Sequence, residues 1–191
     1  LWNTIKYITA ENLKGDVLEF GVWKGGALEL ACHALNHFKG NNKVWGFDTF
    51  EGHPEPSLSE TDIWGNNMNA RYHKEVDENG SWVKSHYDSV VENLLQIRPD
   101  VTLRKGEVSS QTNEPEIESI SILRLDMDWY EPTLAALENF YDRIETGGSI
   151  IIDDYGHHSG ARKATDEFFA HHKRHLHFRH INYSCIAATV F

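Results

Sequence analysis

Cysteine is scarce in this chain; Cys32 and Cys185 are the only two. They make neither a disulfide framework nor a zinc site. Both stand in apolar surroundings, so they read as small core residues and point to a reducing cytoplasm. Long hydrophobic runs are missing too. Nothing approaches the roughly 20 apolar residues of a membrane helix, and no signal peptide is visible. Basic residues are in short supply, with 18 Lys and Arg against 29 Asp and Glu and a formal charge of −11. That balance argues against nucleic acid, which is held by basic side chains neutralising phosphates. It does not oppose a divalent cation, and it favours a neutral or cationic ligand.

What the chain does have is alternation. At 191 residues, with 40% hydrophobic and 25% charged residues, it suits one globular domain over 1–191. Short apolar runs alternate with segments of helical period. "DVLEFGV", "KVWGFD", "VTLRKGEV", "SISILRLDMD" and "SIIIDD" read as five strands. Helices are expected in "GGALELACHALNHF" and "SWVKSHYDSVVENLLQI", and from Pro132 to a stop at Gly147-Gly148. Another is expected through "ARKATDEFFAHH", followed by strands "HFRHINY" and "CIAATVF". Alternation of this kind implies an α/β fold: a doubly wound, mostly parallel seven-stranded sheet with an antiparallel last strand. Residues 51–80 are too long for an ordinary connection and too polar for a core element. Their His53, Trp64, Met68 and Tyr72 favour a lid over the site.

Ligands of such sheets bind outside the carboxyl ends of the strands. Glu19, Asp48, Asp126, Asp128, Asp153 and Asp154 all fall there. The first strand-to-helix turn carries Glu19, Gly21, Gly25 and Gly26, whose glycines let a ligand approach the backbone closely. An acid at that turn disfavours a pyrophosphate and suits an ammonium group. Asp48, ending the second strand, is placed to accept ribose hydroxyls. If the fourth and fifth strands are neighbours, Asp126, Asp153 and Asp154 meet and repel one another. A hard divalent cation resolves that repulsion, and oxygen ligands suit Mg²⁺ better than zinc. Helix or turn capping would account for one of these aspartates, not three. His157 and His158 follow the pair directly and are candidates for base or substrate contact.

The Glu19-x-Gly21-x-x-x-Gly25 turn and Asp48 resemble the class I S-adenosylmethionine-dependent methyltransferases. The resemblance implies a Rossmann-like fold with S-adenosyl-L-methionine held at Glu19, Gly21 and Gly25 by its methionine portion. Asp48 and the adjoining Thr49 would hold its ribose, and Gly106 and Glu107, after Lys105, would border its adenine; Asp126 would border the same ligand. "LRLDMDWYEPT", "IIIDDYG" and "GARKATDEFF", in that order after "VLEFGVWKGG", resemble the macrocin O-methyltransferase (TylF-type) family over about residues 14–190. Those enzymes methylate sugar hydroxyls of macrolide antibiotics and related natural products. The resemblance implies Asp126, Asp153 and Asp154 as Mg²⁺ ligands, with Asp126 also receiving the substrate proton. Asp128 and His157 are rivals for that last role.

The expected acceptor is therefore a sugar-like hydroxylated small molecule, with neither nucleic acid nor membrane as partner; a homodimer is compatible. Two other classes stay open. One is a metal-dependent hydrolase on an α/β sheet, and the other a non-catalytic binding module that retains the fold. The histidine-rich stretch His171–His180 reads as a solvated surface. Trp129 and Tyr130 read as packing near cofactor or substrate or equally as core aromatics, and Arg162 as a partner for an aspartate or a cover for the sheet. Arg124, a charge inside a strand, has no partner that the sequence alone identifies.

Overall fold

Val17 to Phe20 are buried without a break, which a strand can sustain only when helices cover both of its faces. The computed structural model describes residues 1–110, 114–173 and 176–191. Its elements run α1 (Trp2–Ala10), β1 (Asp16–Phe20), α2 (Gly26–Phe38), β2 (Val44–Asp48), α3 (Met68–Asn79), α4 (Tyr87–Ile97) and β3 (Thr102–Lys105). Then come β4 (Ile120–Leu125), α5 (Tyr130–Phe140), β5 (Ile144–Ile152), α6 (Ser159–His171), β6 (Arg179–His180) and β7 (Ile186–Thr189). The seven strands lie in the order β3-β2-β1-β4-β5-β7-β6. The first five are parallel, and β7 runs antiparallel to β5. The order reverses between β1 and β4, which opens a crevice at their carboxyl ends.

The core lies in two layers. On one face Phe20, Phe47, Leu123, Leu125, Ile150 and Ile152 pack with Leu137 and Phe140 of α5 and with Phe168 and Phe169 of α6. The Phe20 and Phe47 rings stack 4.4 Å apart. On the other face Val17, Val44, Ile122 and Ile151 meet Ile5 and Ile8 of α1, Leu28 and Leu35 of α2, and Val90 and Leu94 of α4. Cys32 and Cys185 are buried free thiols in this second layer. No helix among the described residues is long and apolar enough to cross a membrane.

The hydrogen-bond ladder continues one residue beyond the strands, and this builds the rim. Gly21 N donates to Phe47 O (2.9 Å), Asp126 N to Phe20 O (2.9 Å), Asp153 N to Leu125 O (2.9 Å) and Gly106 N to Asp48 O (2.9 Å). These residues are thereby held in register side by side. Gly21 has φ +86°, and a Cβ there would stand 1.8 Å from the carbonyl oxygen of Asp126. Only glycine lets β1 leave the sheet this close to β4.

Three expected boundaries move. The helix expected to stop at Gly147-Gly148 ends at Phe140, and β5 begins at Ile144. Ile144 is buried because it pairs with Ile120 of β4, and Gly147 N and Gly148 O both bond to Val190. Residues 81–86 precede α4 instead of starting it. Val83 there takes a positive φ of 61°, and Ser85 Oγ donates to Trp23 O (2.6 Å). Residues 51–80 include α3, whose Met68 is fully buried. In the histidine-rich stretch His171, Lys173, Arg179 and His180 are exposed, whereas His172 is half-buried against Phe168 and Tyr141. Arg174 and His175 lie outside the described residues.

Candidate active site

A cleft of about 420 Å³ opens at the crevice between β1 and β4. Gly21, Asp48, Thr49, Gly106 and Glu107 line one part of it, and Asp126, Met127 and Asp128 another. Phe20 and Phe47, which stack beneath, also reach it, as do His53 and Pro54 of the 51–80 segment. Asp48 shapes this wall with both oxygens: Oδ2 accepts from Trp23 N (2.8 Å) and Oδ1 from Phe50 N (2.6 Å). Each oxygen retains a lone pair. Glu19 and Gly25, expected at the same ligand, do not line the cleft. Glu19 is 3% exposed in the floor, and Gly25 is the left-handed cap that starts α2.

Arg124 finds its partners here. Its Nη1 donates to Glu19 and, at 2.9 Å, to Asp126 Oδ2; its Nη2 donates to Asp153. Burial alone would lower the Arg124 pKa, but the three carboxylates outweigh it and raise it. Burial pushes the Glu19 carboxyl up to about 8, against the opposing pull of Arg124. Burial likewise raises Asp153, again opposed by Arg124.

A second group adjoins the first. Asp128, with a left-handed φ of 64°, accepts from His53 Nε2 at 2.8 Å and lies 3.8 Å from His158 Nε2. Burial would raise the Asp128 carboxyl, yet the His53 hydrogen bond and charge hold it below the usual range. Burial first, and repulsion from Asp128 next, push Asp154 up to about 12. The two carboxyls behave as a pair sharing one negative charge. Burial keeps His158 lowered, hence neutral.

Of the expected metal trio, Asp126 faces both Arg124 and Asp154. Asp126 and Asp153 direct oxygens at Arg124. Among the described residues, the three-residue group whose ligand atoms lie within 4.8 Å of one another is Asp128, Asp154 and His158. Asp154 Oδ2 and His158 Nδ1 are buried without hydrogen-bond partners. Two carboxylate oxygens and a neutral imidazole form a donor set that fits a divalent cation. His157, expected as a base, is set apart. Its ring packs on Trp64 (5.3 Å) and Tyr183 (5.9 Å), outside the cleft lining. Its neighbour His158 faces Asp128 instead.

The 51–80 segment is fastened over this site. Thr61 and Ser159 exchange bonds, Thr61 N to Ser159 Oγ (2.8 Å) and Ser159 N to Thr61 O (2.9 Å). Glu60 Oε1 accepts the first amide of α5, Tyr130 N, at 3.0 Å. His53, Trp82 and Trp129 form an aromatic cluster with ring separations of 5.2–5.6 Å. Trp129 is buried (2% exposed) behind His53 and does not itself line the cleft, whereas Tyr130 points its hydroxyl at Glu167 (2.6 Å). Arg162 covers Tyr155, its Nε donating to the Tyr155 carbonyl (3.1 Å). The roles of Arg124 and Glu60 depend on pairings between distant segments, for which the sequence carries no local signal.

Sheet order, rim glycines and cleft are those of the class I methyltransferases. A model of the macrocin O-methyltransferase (TylF) family matches residues 1–189, and the chain belongs to that family. It is 30% identical over 170 residues to demethyldecarbamoylnovobiocin O-methyltransferase of Streptomyces niveus, covering 87% of this chain and 62% of that protein. It is 29% identical over 160 residues to 8-demethyl-8-(2,3-dimethoxy-α-L-rhamnosyl)-tetracenomycin-C 4′-O-methyltransferase of Streptomyces olivaceus, covering 79% and 57%. The chain thus spans about three-fifths of the length of these relatives. The solved structure of the O-methyltransferase NovP superposes with a TM-score of 0.81 at 25% identity, covering 99% of this chain and 77% of that one.

Proposed function

We propose that the protein transfers the methyl group of S-adenosylmethionine to a hydroxyl of a sugar-like small molecule, with a divalent cation, Mg²⁺ by chemistry, as cofactor. One observation carries this: a single cleft joins the rim glycines and Asp48 to Asp126 and Asp128. Gly21 gives the donor close approach to the backbone, and the free lone pairs of Asp48 accept ribose hydroxyls, beside Thr49. Gly106 and Glu107 border the base. Glu19 acts from beneath by anchoring Arg124 in the floor. The rhamnosyl group in the name of the S. olivaceus relative supports a sugar-like acceptor.

The cation would be held by Asp154, with Asp128 and His158 as the chain is folded here and with Asp126 and Asp153 as further oxygen ligands. When bound, it supplies Lewis acidity that makes a sugar hydroxyl easier to deprotonate. Asp126 has 35% of its side chain exposed, more than Asp128 (15%) or Asp153 (28%), and it lines the cleft. Both features support Asp126 as the carboxylate that receives the proton. His53 lines the cleft, backed by Trp82 and Trp129, and the 51–80 segment acts as the lid that excludes water. Alignment of hydroxyl and methyl in one cleft can contribute roughly 7–11 kcal/mol to lowering the barrier.

Calorimetry with S-adenosylhomocysteine tests the cofactor site, and methyl transfer to glycosylated acceptors with and without Mg²⁺ tests the reaction. No cofactor binding under either condition removes the proposal. Turnover of a substrate without the methyl donor would establish the hydrolase instead, and binding without product the non-catalytic module.

A further inference from the structure

Two of the rim acids already hold a cation. Arg124 carries it, from inside β4, with 12% of its side chain exposed. The placement follows from strand register. Glu19 lies opposite Arg124 in β1, and Ile151 lies opposite it in β5. Asp126 is two residues beyond Arg124, and Asp153 two beyond Ile151. Side chains alternate faces with period two, so all three carboxylates share the face of the guanidinium. A planar fork with five donors can span them; a single ammonium cannot.

Glu19 adds a second observation. It is 3% exposed, Arg124 takes its Oε1, and its Oε2 is buried without any hydrogen-bond partner. A vacant acceptor therefore lies beside the fork, and a second bond there would make the Glu19–Arg124 pair bidentate.

The geometry points to Arg124 as a tethered cation that holds Asp126 and Asp153 back from a divalent ion and retreats onto Glu19 when the ion binds. It is a positioning residue, acting through the carboxylates it releases, and this role rests on the cation dependence proposed above. Asp154, Asp128 and His158 then form the group open from the start, and Asp126 and Asp153 join after displacement. One consequence is opposite in sign to a structural role. Removing the charge should tighten ion binding, because the ion no longer competes with a guanidinium a few ångströms away.

The test is Mn²⁺ binding, followed by calorimetry and by the electron paramagnetic resonance of free Mn²⁺, on the whole chain and its Arg124→Met and Arg124→Lys variants. Arg124→Met is expected to bind Mn²⁺ at least tenfold more tightly than the parent. Arg124→Lys, whose point charge cannot span three carboxylates, is expected to bind a few fold more tightly. If Arg124→Met folds only with the ion, Arg124→Lys carries the test, with a larger Mn²⁺-induced rise in melting temperature than the parent. Unchanged or weaker binding in a natively folded Arg124→Lys protein overturns the inference while leaving the methyltransferase proposal intact. Absence of Mn²⁺ binding in the parent and both variants removes the cation dependence itself, and this inference with it.

Discussion

Glu60 is the point at which the 51–80 segment grips the start of α5. It comes from the 51–80 segment, is 5% exposed, and accepts the amide of Tyr130 at 3.0 Å where α5 begins. Two effects oppose each other there. A carboxylate at a helix N-terminus is stabilised by unsatisfied amides and the helix dipole. Burial disfavours the same charge, and it is the larger effect, since the Glu60 carboxyl is raised above its ordinary value despite the Tyr130 bond. Its Oε2 has no partner at all. Glu60→Ala leaves an amide of the first turn uncapped, a loss of about 0.5–2 kcal/mol, partly offset by removing the buried charge. For a chain of this size a net 1 kcal/mol corresponds to a fall of about 2–4 °C in melting temperature. Glu60→Gln keeps an oxygen for Tyr130 N and sheds the charge, so it should match or exceed the parent in stability near pH 7. The sign of the pH dependence follows from linkage. A carboxyl raised in the folded state binds its proton more tightly there than in the unfolded chain. Its contribution is therefore fully present below the unfolded value of about 4.3 and is lost as pH rises through the folded value. Thermal melts between pH 4 and pH 8 should show the parent losing stability relative to Glu60→Gln on the way up. If Glu60→Gln is as destabilising at pH 7 as Glu60→Ala, the charge at the helix terminus is what holds the 51–80 segment, and burial is not the larger effect.

Gly21→Ala should abolish binding of S-adenosylhomocysteine by calorimetry, because its Cβ would stand 1.8 Å from the Asp126 carbonyl oxygen at a φ of +86°. Gly26→Ala, with nothing within 4 Å of the added carbon, is the matched control and should bind normally. Asp48→Asn can accept only one of the Trp23 and Phe50 amides; a loss of at least tenfold in cofactor affinity is expected, and unchanged affinity would separate Asp48 from the ribose. Trp64, 72% exposed on the 51–80 segment, tests whether that segment acts on the acceptor as the proposed lid. Kinetics of Trp64→Ala should show a raised acceptor KM with cofactor affinity intact, and an equal loss of both would place it in the fold and not the site.

Much of the fold was legible because period and burial coincide. β1, β2 and β4 are apolar runs covered on both faces, and nothing local competes with that pattern. The pattern misled where two periods overlapped. Leu134, Leu137, Phe140, Tyr141 and Ile144 keep helical spacing, yet Ile144 is buried by Ile120 of the neighbouring strand. The Gly147-Gly148 pair likewise reads as a helix stop, whereas it lets β5 run on beside Val190. Trp82 and Val83 look like a helix start until His53 and Trp129 hold the Trp82 ring in an aromatic cluster ahead of α4. In each case a partner distant in sequence overrode a local preference.

The site shows the same division in charge. Strand ends can be read from sequence, so the acids at the rim were all visible. Which acid faces which neighbour is set by register, and register is a property of pairs of strands. A shift of one residue between β1 and β4 would turn Glu19 from the face that carries Arg124 to the opposite one. Arg124 would keep Asp126 and Asp153, whose alignment with it lies within β4 and β5, but the buried Glu19 carboxyl would lose its guanidinium. Arg124 therefore rewards the native alignment electrostatically where Gly21 permits it sterically. Both constraints act on the two strands that flank the crevice, which is where the cofactor proposal requires the sheet to be most exact.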